Sequence, residues 1–262
     1  MIIDFHTHCY PDKIASRAID AVGPLGLDCS FDGTISGLCA SMKTAGIDLA
    51  LNLPLVTSPD NTRGVNAWAA KNNSAPVFSL GSIHPDDPDP AKTLAWIKSL
   101  GLKGIKMHPE YQSFSFDETR LEPIWEACIE QGLFLLTHAG EDIAFKPPPK
   151  SNPASLAAFH RRFPDLTLVL AHMGSWGLWD EVERHLIGLP LYLDMSFVPG
   201  LVDDALLVKL IRRHGSERVL FGTDAPWRDQ SESLKKVGEL GLTDDEYANI
   251  TCNNAAALLK LN

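Results

Sequence analysis

Two histidines, two residues apart, stand near the start of the chain. His6 and His8 follow the short apolar run Ile2–Phe5. Residues two apart on a strand project from the same face. Two neutral imidazoles on one face can hold a divalent ion at about 2.0–2.1 Å each. Either histidine alone could equally be a satisfied core residue. Further along, His138 closes the run that begins at Leu133, His172 closes Leu166–Ala171, and Asp224 follows Val219–Phe221. Imidazole and carboxylate suit Zn, Mn, Fe and Co alike. An ion so held activates water or polarises an oxygen of a substrate. Lys106 and His108 lie at the end of Leu102–Met107, and His84 ends Val77–Ile83. Six of the nine histidines therefore lie at or beside the ends of apolar runs, too regular a placement for unrelated core residues.

Such residues need strands that bring them to a common end. Eight apolar runs fall along the chain: Ile2–Phe5, Leu49–Leu53, Val77–Ile83, Leu102–Met107, Leu133–Leu136, Leu166–Ala171, Leu191–Met195 and Val219–Phe221. Most lack polar alternation, as do strands covered on both faces. Amphipathic stretches lie between them, among them Ala91–Leu100, Asp117–Gln131 and Asp203–His214, with Lys13–Ala21 and Thr34–Ala45 inside a long first crossover. Asn152-Pro153 and Asp203 are helix starts, and Gly46, Gly101, Gly132 and Gly215 are stops. Eight strand–helix units in 262 residues predict a single (β/α)8 TIM-barrel domain over 1–262. The rival, a doubly wound sheet, lacks a Gly-rich loop after its first strand. Parity places Leu136 and Phe134 beneath His138, Leu170 and Leu168 beneath His172, and Gly222 and Leu220 beneath Asp224. That is a polar layer over apolar ones. Asp4 is the exception, a buried carboxylate beneath His6 that needs a partner.

The remaining candidates are weaker. Trp227 and Arg228 fall in the loop after the last strand, with Tyr10 and Trp176 in others; the aromatics could wall a pocket and Arg228 could bind an anion. His108, followed by Pro109, could face a substrate or close a turn. Cys9 has parity opposite to His8 and reads as structural, and His160, His185 and His214 fall on predicted helices and read as surface residues.

Composition narrows the partners. The formal net charge of −10 argues against nucleic-acid and anionic-membrane surfaces, and no apolar run approaches the length of a membrane span. The N-terminus shows no export signal, and the five scattered cysteines suggest reduced thiols in a cytoplasmic protein. A small-molecule substrate is expected, and barrels of this size often pair as homodimers.

Asp4-x-His6-x-His8, single histidines after the fifth and sixth strands and Phe221-Gly222-Thr223-Asp224 resemble the amidohydrolase superfamily. Gly104-Ile105-Lys106-Met107-His108-Pro109, Ala171-His172-Met173-Gly174 and Gly222–Trp227 resemble its amidohydrolase-2 branch, which includes aminocarboxymuconate-semialdehyde decarboxylase. The resemblance implies that His6, His8 and His138 bind a divalent ion, zinc foremost, with Asp224 completing or flanking the site. It implies that Asp224 orients water and takes its proton. His172 would stabilise negative charge, act as an acid or base, or bind a second ion. Lys106 stands where binuclear relatives carry a carboxylated, metal-bridging lysine; its alternative is a cation for a substrate carboxylate or an ion-pair partner. Glu110 is a further candidate ligand or pair partner.

The resemblance implies a hydrolase acting on an amide, lactone or ester carbonyl. The alternative is a non-oxidative decarboxylase of a small unsaturated or aromatic carboxylate, which would use the same ligands. A barrel that had lost its chemistry is the third reading, and the retained ligand set counts against it.

Overall fold

The apolar runs become parallel strands because they are buried on both faces and each leads into a helix. A computed structural model of the chain describes residues 1–21 and 26–261. Nine strands follow in order: β1 (Ile3–Thr7), β2 (Leu49–Asn52), β3 (Val77–Ser79), β4 (Gly81–Ser82), β5 (Gly104–Met107), β6 (Phe134–Thr137), β7 (Leu168–Leu170), β8 (Tyr192–Asp194) and β9 (Val219–Leu220). The predicted third strand is thus present in two pieces, with Leu80 between them. The described residues fall into two compact units.

The first unit comprises Met1–Leu53, Ser74–Phe78 and Asp194–Asn262. In it β1 pairs with β2, Ile3 opposite Leu49, Asp4 opposite Ala50 and Thr7 opposite Asn52. Three steps along β1 match two along β2, so a bulge falls at Phe5–His6. Bulges re-aim side chains and are common beside functional sites. On its other side β1 meets β9 and the residues after it: Phe5 N–H donates to Phe221 O at 2.8 Å, Asp224 N–H to His6 O at 2.8 Å and His8 N–H to Ala225 O at 2.7 Å. Helix Asp204–His214 starts on Asp203, whose carboxylate accepts from Leu206 N–H, and buries Leu207, Leu210, Ile211 and His214.

The second unit comprises Pro54–Asn73 and Ser79–Leu193. Its strands pair in parallel from β4 to β8 in chain order. Every residue of β5, β6 and β7 is buried. Helix Pro153–Arg162 has Asn152 as its cap, accepting from Ser155 N–H, with Pro153 in its first turn. Such a cap stabilises by about 1 kcal/mol. The helix predicted from Asp117 is α-helical only over Glu122–Gln131, after a 3₁₀ turn at Thr119–Leu121. Pro123 has no N–H to give to a preceding turn, so it is confined to the first turn.

Two surface readings are corrected. His160 lies on the buried face with Leu156, Ala157 and Phe159, and His214 on that with Leu210 and Ile211, at helical spacing. His185 is exposed as expected. No described helix is long and apolar enough to cross a membrane.

Candidate metal centre

Strand β1 carries His6 and leads directly into His8, and the turn after β9 delivers Asp224. His6 Nε2 lies 3.2 Å from His8 Nε2, and Asp224 Oδ1 lies 3.2 Å from the first and 3.0 Å from the second. The protons in this triangle are fixed from behind. His6 Nδ1 stands 2.8 Å from Asp194 Oδ2, and a carboxylate only accepts, so Nδ1 carries the proton. His8 Nδ1 stands 3.2 Å from the carbonyl oxygen of Leu53, which imposes the same tautomer. Both Nε2 atoms therefore present lone pairs, and with Asp224 three electron-rich atoms converge. Two nitrogens on one tetrahedral ion at 2.0–2.1 Å stand about 3.3 Å apart, close to the spacing found. The donor set thus fits a divalent ion.

Asp194 and Ser196 support that arrangement. Asp194 is fully buried at the end of β8. Its Oδ1 accepts from Ser196 N–H at 2.9 Å and from the Ser196 hydroxyl, while its other oxygen takes the His6 proton. A carboxylate behind a ligating histidine fixes ring orientation and raises basicity. Asp194 and Ser196 were not singled out in the sequence. The available signal was a carboxylate inside the apolar run Leu191–Met195, which must find a partner once buried.

Asp4 has a different role. It accepts from Thr223 N–H (3.0 Å), Thr223 Oγ1 (2.6 Å), Gln230 Nε2 (2.7 Å) and His6 N–H (3.2 Å). Burial pushes its carboxyl up to about 6 against the lowering effect of these bonds. It ties β1 to the turn that carries Asp224. Asp224 itself has φ 70°, a left-handed conformation that Asp tolerates better than most residues. Gly222 has no side chain for a direct reason: a Cβ there would lie 2.8 Å from His6 Cβ.

The other candidates of this unit lie nearby. The Trp227 ring is 6.4 Å from the His8 ring, and the Arg228 guanidinium lies 5.7 Å over the Phe197 ring. Cys9 is buried with its Sγ 3.5 Å from Thr34 O, a structural placement, and burial pushes its thiol up.

The second unit gathers His108, His138, His172, Asp142 and Lys106. His138 follows β6 and His172 follows β7. His172 Nε2 lies 3.1 Å from His138 Nδ1. The His108 ring stacks on His138 at 4.1 Å and 10°, and His108 Nε2 lies 3.2 Å from Asp142 Oδ2. Burial, and then the charges of His108 and His172, hold the His138 pKa well below the ordinary histidine value. A neutral imidazole is the ligating form. His138 Nε2 is buried with no hydrogen-bond partner among the described residues. Lys106 is 2% exposed, and its charge also weighs against protonation of His138. His172 has φ 59°, a strained backbone of the kind found at functional positions. Glu110 accepts from Lys150 N–H at 2.6 Å and so anchors the loop after β6. His84 closes a turn, its Nδ1 accepting from Asp86 N–H at 3.1 Å.

Known proteins place this geometry in a family. The amidohydrolase family model matches residues 3–261, and the chain belongs to that family. Among solved structures, a TIM-barrel protein of Bordetella bronchiseptica shares 22% identity over 99% of this chain and 98% of its own, with a TM-score of 0.80. The 5-carboxyvanillate decarboxylase of Sphingomonas paucimobilis shares 18% identity, with 100% and 99% covered and a TM-score of 0.73. That of Novosphingobium aromaticivorans, solved with manganese and 4-hydroxy-3-methoxy-5-nitrobenzoic acid, shares 15%, with 100% and 96% covered and a TM-score of 0.77. No curated protein matches the sequence. The fold is the expected (β/α)8 barrel, and the doubly wound alternative is set aside.

Proposed function

We propose that the protein is a metal-dependent, non-oxidative decarboxylase of a small unsaturated or aromatic carboxylate. The observation that carries the metal reading is the convergence of His6 Nε2, His8 Nε2 and Asp224 Oδ1 with both histidine protons held on the far side. In the second unit, His138 is a metal ligand in its own right, through Nε2. The choice of decarboxylation rests on the 5-carboxyvanillate decarboxylases that share the fold. It reverses the order that the resemblance implies for hydrolysis and decarboxylation, which use the same ligands.

A divalent ion held by these residues, zinc or manganese, would supply Lewis acidity toward a substrate oxygen. The residues supply the rest. Asp224 holds a proton and delivers it to the carbon that bears the carboxylate. The bond from that carbon to the carboxylate then breaks, its electron pair restores the unsaturation, and CO2 leaves. One proton is consumed and one C–H bond formed for each CO2 released. His172 is the second acid–base group; with the His138 Nδ1 proton donated to it, His172 Nε2 is the acceptor. Trp227 and Arg228 are the proposed substrate contacts on the loop after β9, and His108 and Lys106 those of the second unit. The substrate remains a small molecule, and two copies of the chain pair as a homodimer.

The family's own description favours a second reading, hydrolysis of a carbonyl. One experiment separates the two. The protein is stripped with chelator, reloaded with Mn2+ or Zn2+, and incubated in D2O with hydroxybenzoates and with lactones. CO2 release matched by one deuterium at the vacated carbon supports decarboxylation. Ring opening without CO2 supports hydrolysis. Metal binding without turnover of either panel rejects both.

A further inference from the structure

His108, His138 and Asp142 bring three ligand-type atoms within 4.8 Å of one another, which looks like a second metal set. The ring planes argue otherwise. A ligating imidazole holds its ion in its own plane, on the nitrogen lone pair. The His108 and His138 rings are 10° from parallel with centroids 4.1 Å apart. An ion in the plane of one ring therefore lies well out of the plane of the other, and the two cannot share it as they stand. Asp142 is also committed. Its Oδ1 accepts from Ala144 N–H at 2.8 Å, and its Oδ2 faces His108 Nε2 at 3.2 Å. Tyr111 adds an edge-on contact to His108 at 4.7 Å and 84°.

Resting on the reading of His138 as a metal ligand, we infer that Asp142 and His108 are positioning residues for His138. The Asp142 carboxylate, 3.2 Å from Nε2, flanks the edge of the His108 ring and limits its rotation. The flat face of His108 then sets the plane of His138, and His172 at Nδ1 fixes the rotation of His138 within that plane. His138 Nε2 is the atom left for the ion. Neither Asp142 nor His108 touches the metal. Asp142 lies four residues beyond His138 on the loop that leaves β6, so the strand that presents the ligand also carries its brace.

The test is titration of the chelator-stripped full-length protein with Mn2+ by calorimetry, with thermal unfolding of each metal-free variant as a check on folding. His138→Ala abolishes binding if the underlying reading holds. His108→Ala weakens the Mn2+ Kd by about tenfold or more, in the range seen for outer-shell partners of ligands. His108→Phe keeps a flat ring against His138 and stays within about threefold of the parent. Asp142→Ala weakens binding, and Asp142→Asn, which still offers an oxygen to His108, recovers most of it. If His108→Phe loses as much affinity as His108→Ala, His108 is a ligand and the inference is overturned. If His138→Ala weakens binding and His108→Ala does not, the brace is overturned while the ligand role stands. If His138→Ala leaves binding intact, the ligand role fails and the inference fails with it.

Discussion

Asp194 Oδ2 stands 2.8 Å from His6 Nδ1, with both side chains buried. The pair decides which nitrogen of His6 is left for a metal. Asp194→Asn keeps the volume but removes the charge that holds the Nδ1 proton. Mn2+ affinity is expected to fall by about 10- to 100-fold, read by calorimetric titration, with far-UV circular dichroism unchanged. An affinity equal to that of the parent would show that the carboxylate does not tune the site.

The same pair shows where sequence reading stops. His6, His8 and Asp224 were legible because each closes an apolar run and the (β/α)8 arrangement brings strand ends together. The eight runs were legible because strands buried on both faces lose their polar alternation. Asp194 lies 188 residues from His6 in the chain, and no local pattern couples them. Asp142 was hidden for another reason: it sits in a loop of charged and proline residues with no periodicity to give its direction. Asp4 was legible as buried, but its partners Thr223 and Gln230 appeared only with the turn folded over it. His160 and His214 were misplaced because a single histidine on a helix does not announce which face it takes.

Gly222→Ala tests how closely the turn after β9 is packed against the ligands. The added Cβ would come 2.8 Å from His6 Cβ and 3.4 Å from Ser196 Cβ. Neither neighbour is a flexible side-chain end, so the backbone must yield. The expected cost is about 1–3 kcal/mol, as for overpacked cores, read as a lower urea midpoint, together with weaker Mn2+ binding as His6 is displaced. Parental values in both measurements would mean that the turn has slack.

His160 gives a pH dependence that does not involve the metal. Burial and the neighbouring Arg161 hold its pKa below the ordinary 6.5, and its Nδ1 is buried without a hydrogen-bond partner among the described residues. Above pH 6.5 the imidazole is neutral in folded and unfolded chains, and its contribution is complete. As pH falls below 6.5 the unfolded chain takes up the proton first, and stability is lost until the folded pKa is passed. His160→Leu removes that titration on a face that already holds Leu156 and Phe159. Between pH 7.5 and 5.5 the parent should lose more stability to urea than the variant. Equal losses would mean that His160 titrates alike in both states.

Asp224 allows the ligand and the acid–base roles to be separated. Its φ of 70° favours Asn as the replacement, because Asn shares the tolerance of Asp for that conformation whereas Ala does not. Asp224→Asn keeps an oxygen toward His6 Nε2 and His8 Nε2 but cannot carry the proton. Its Mn2+ content should stay near that of the parent, and its urea stability within about 1 kcal/mol. Turnover should fall by about 10²- to 10⁴-fold, the scale of a lost general acid. Asp224→Ala should lose metal affinity, stability and turnover together. Were Asp224→Asn to keep full turnover with bound metal, proton delivery would belong to another residue, and His172 would be the next to replace.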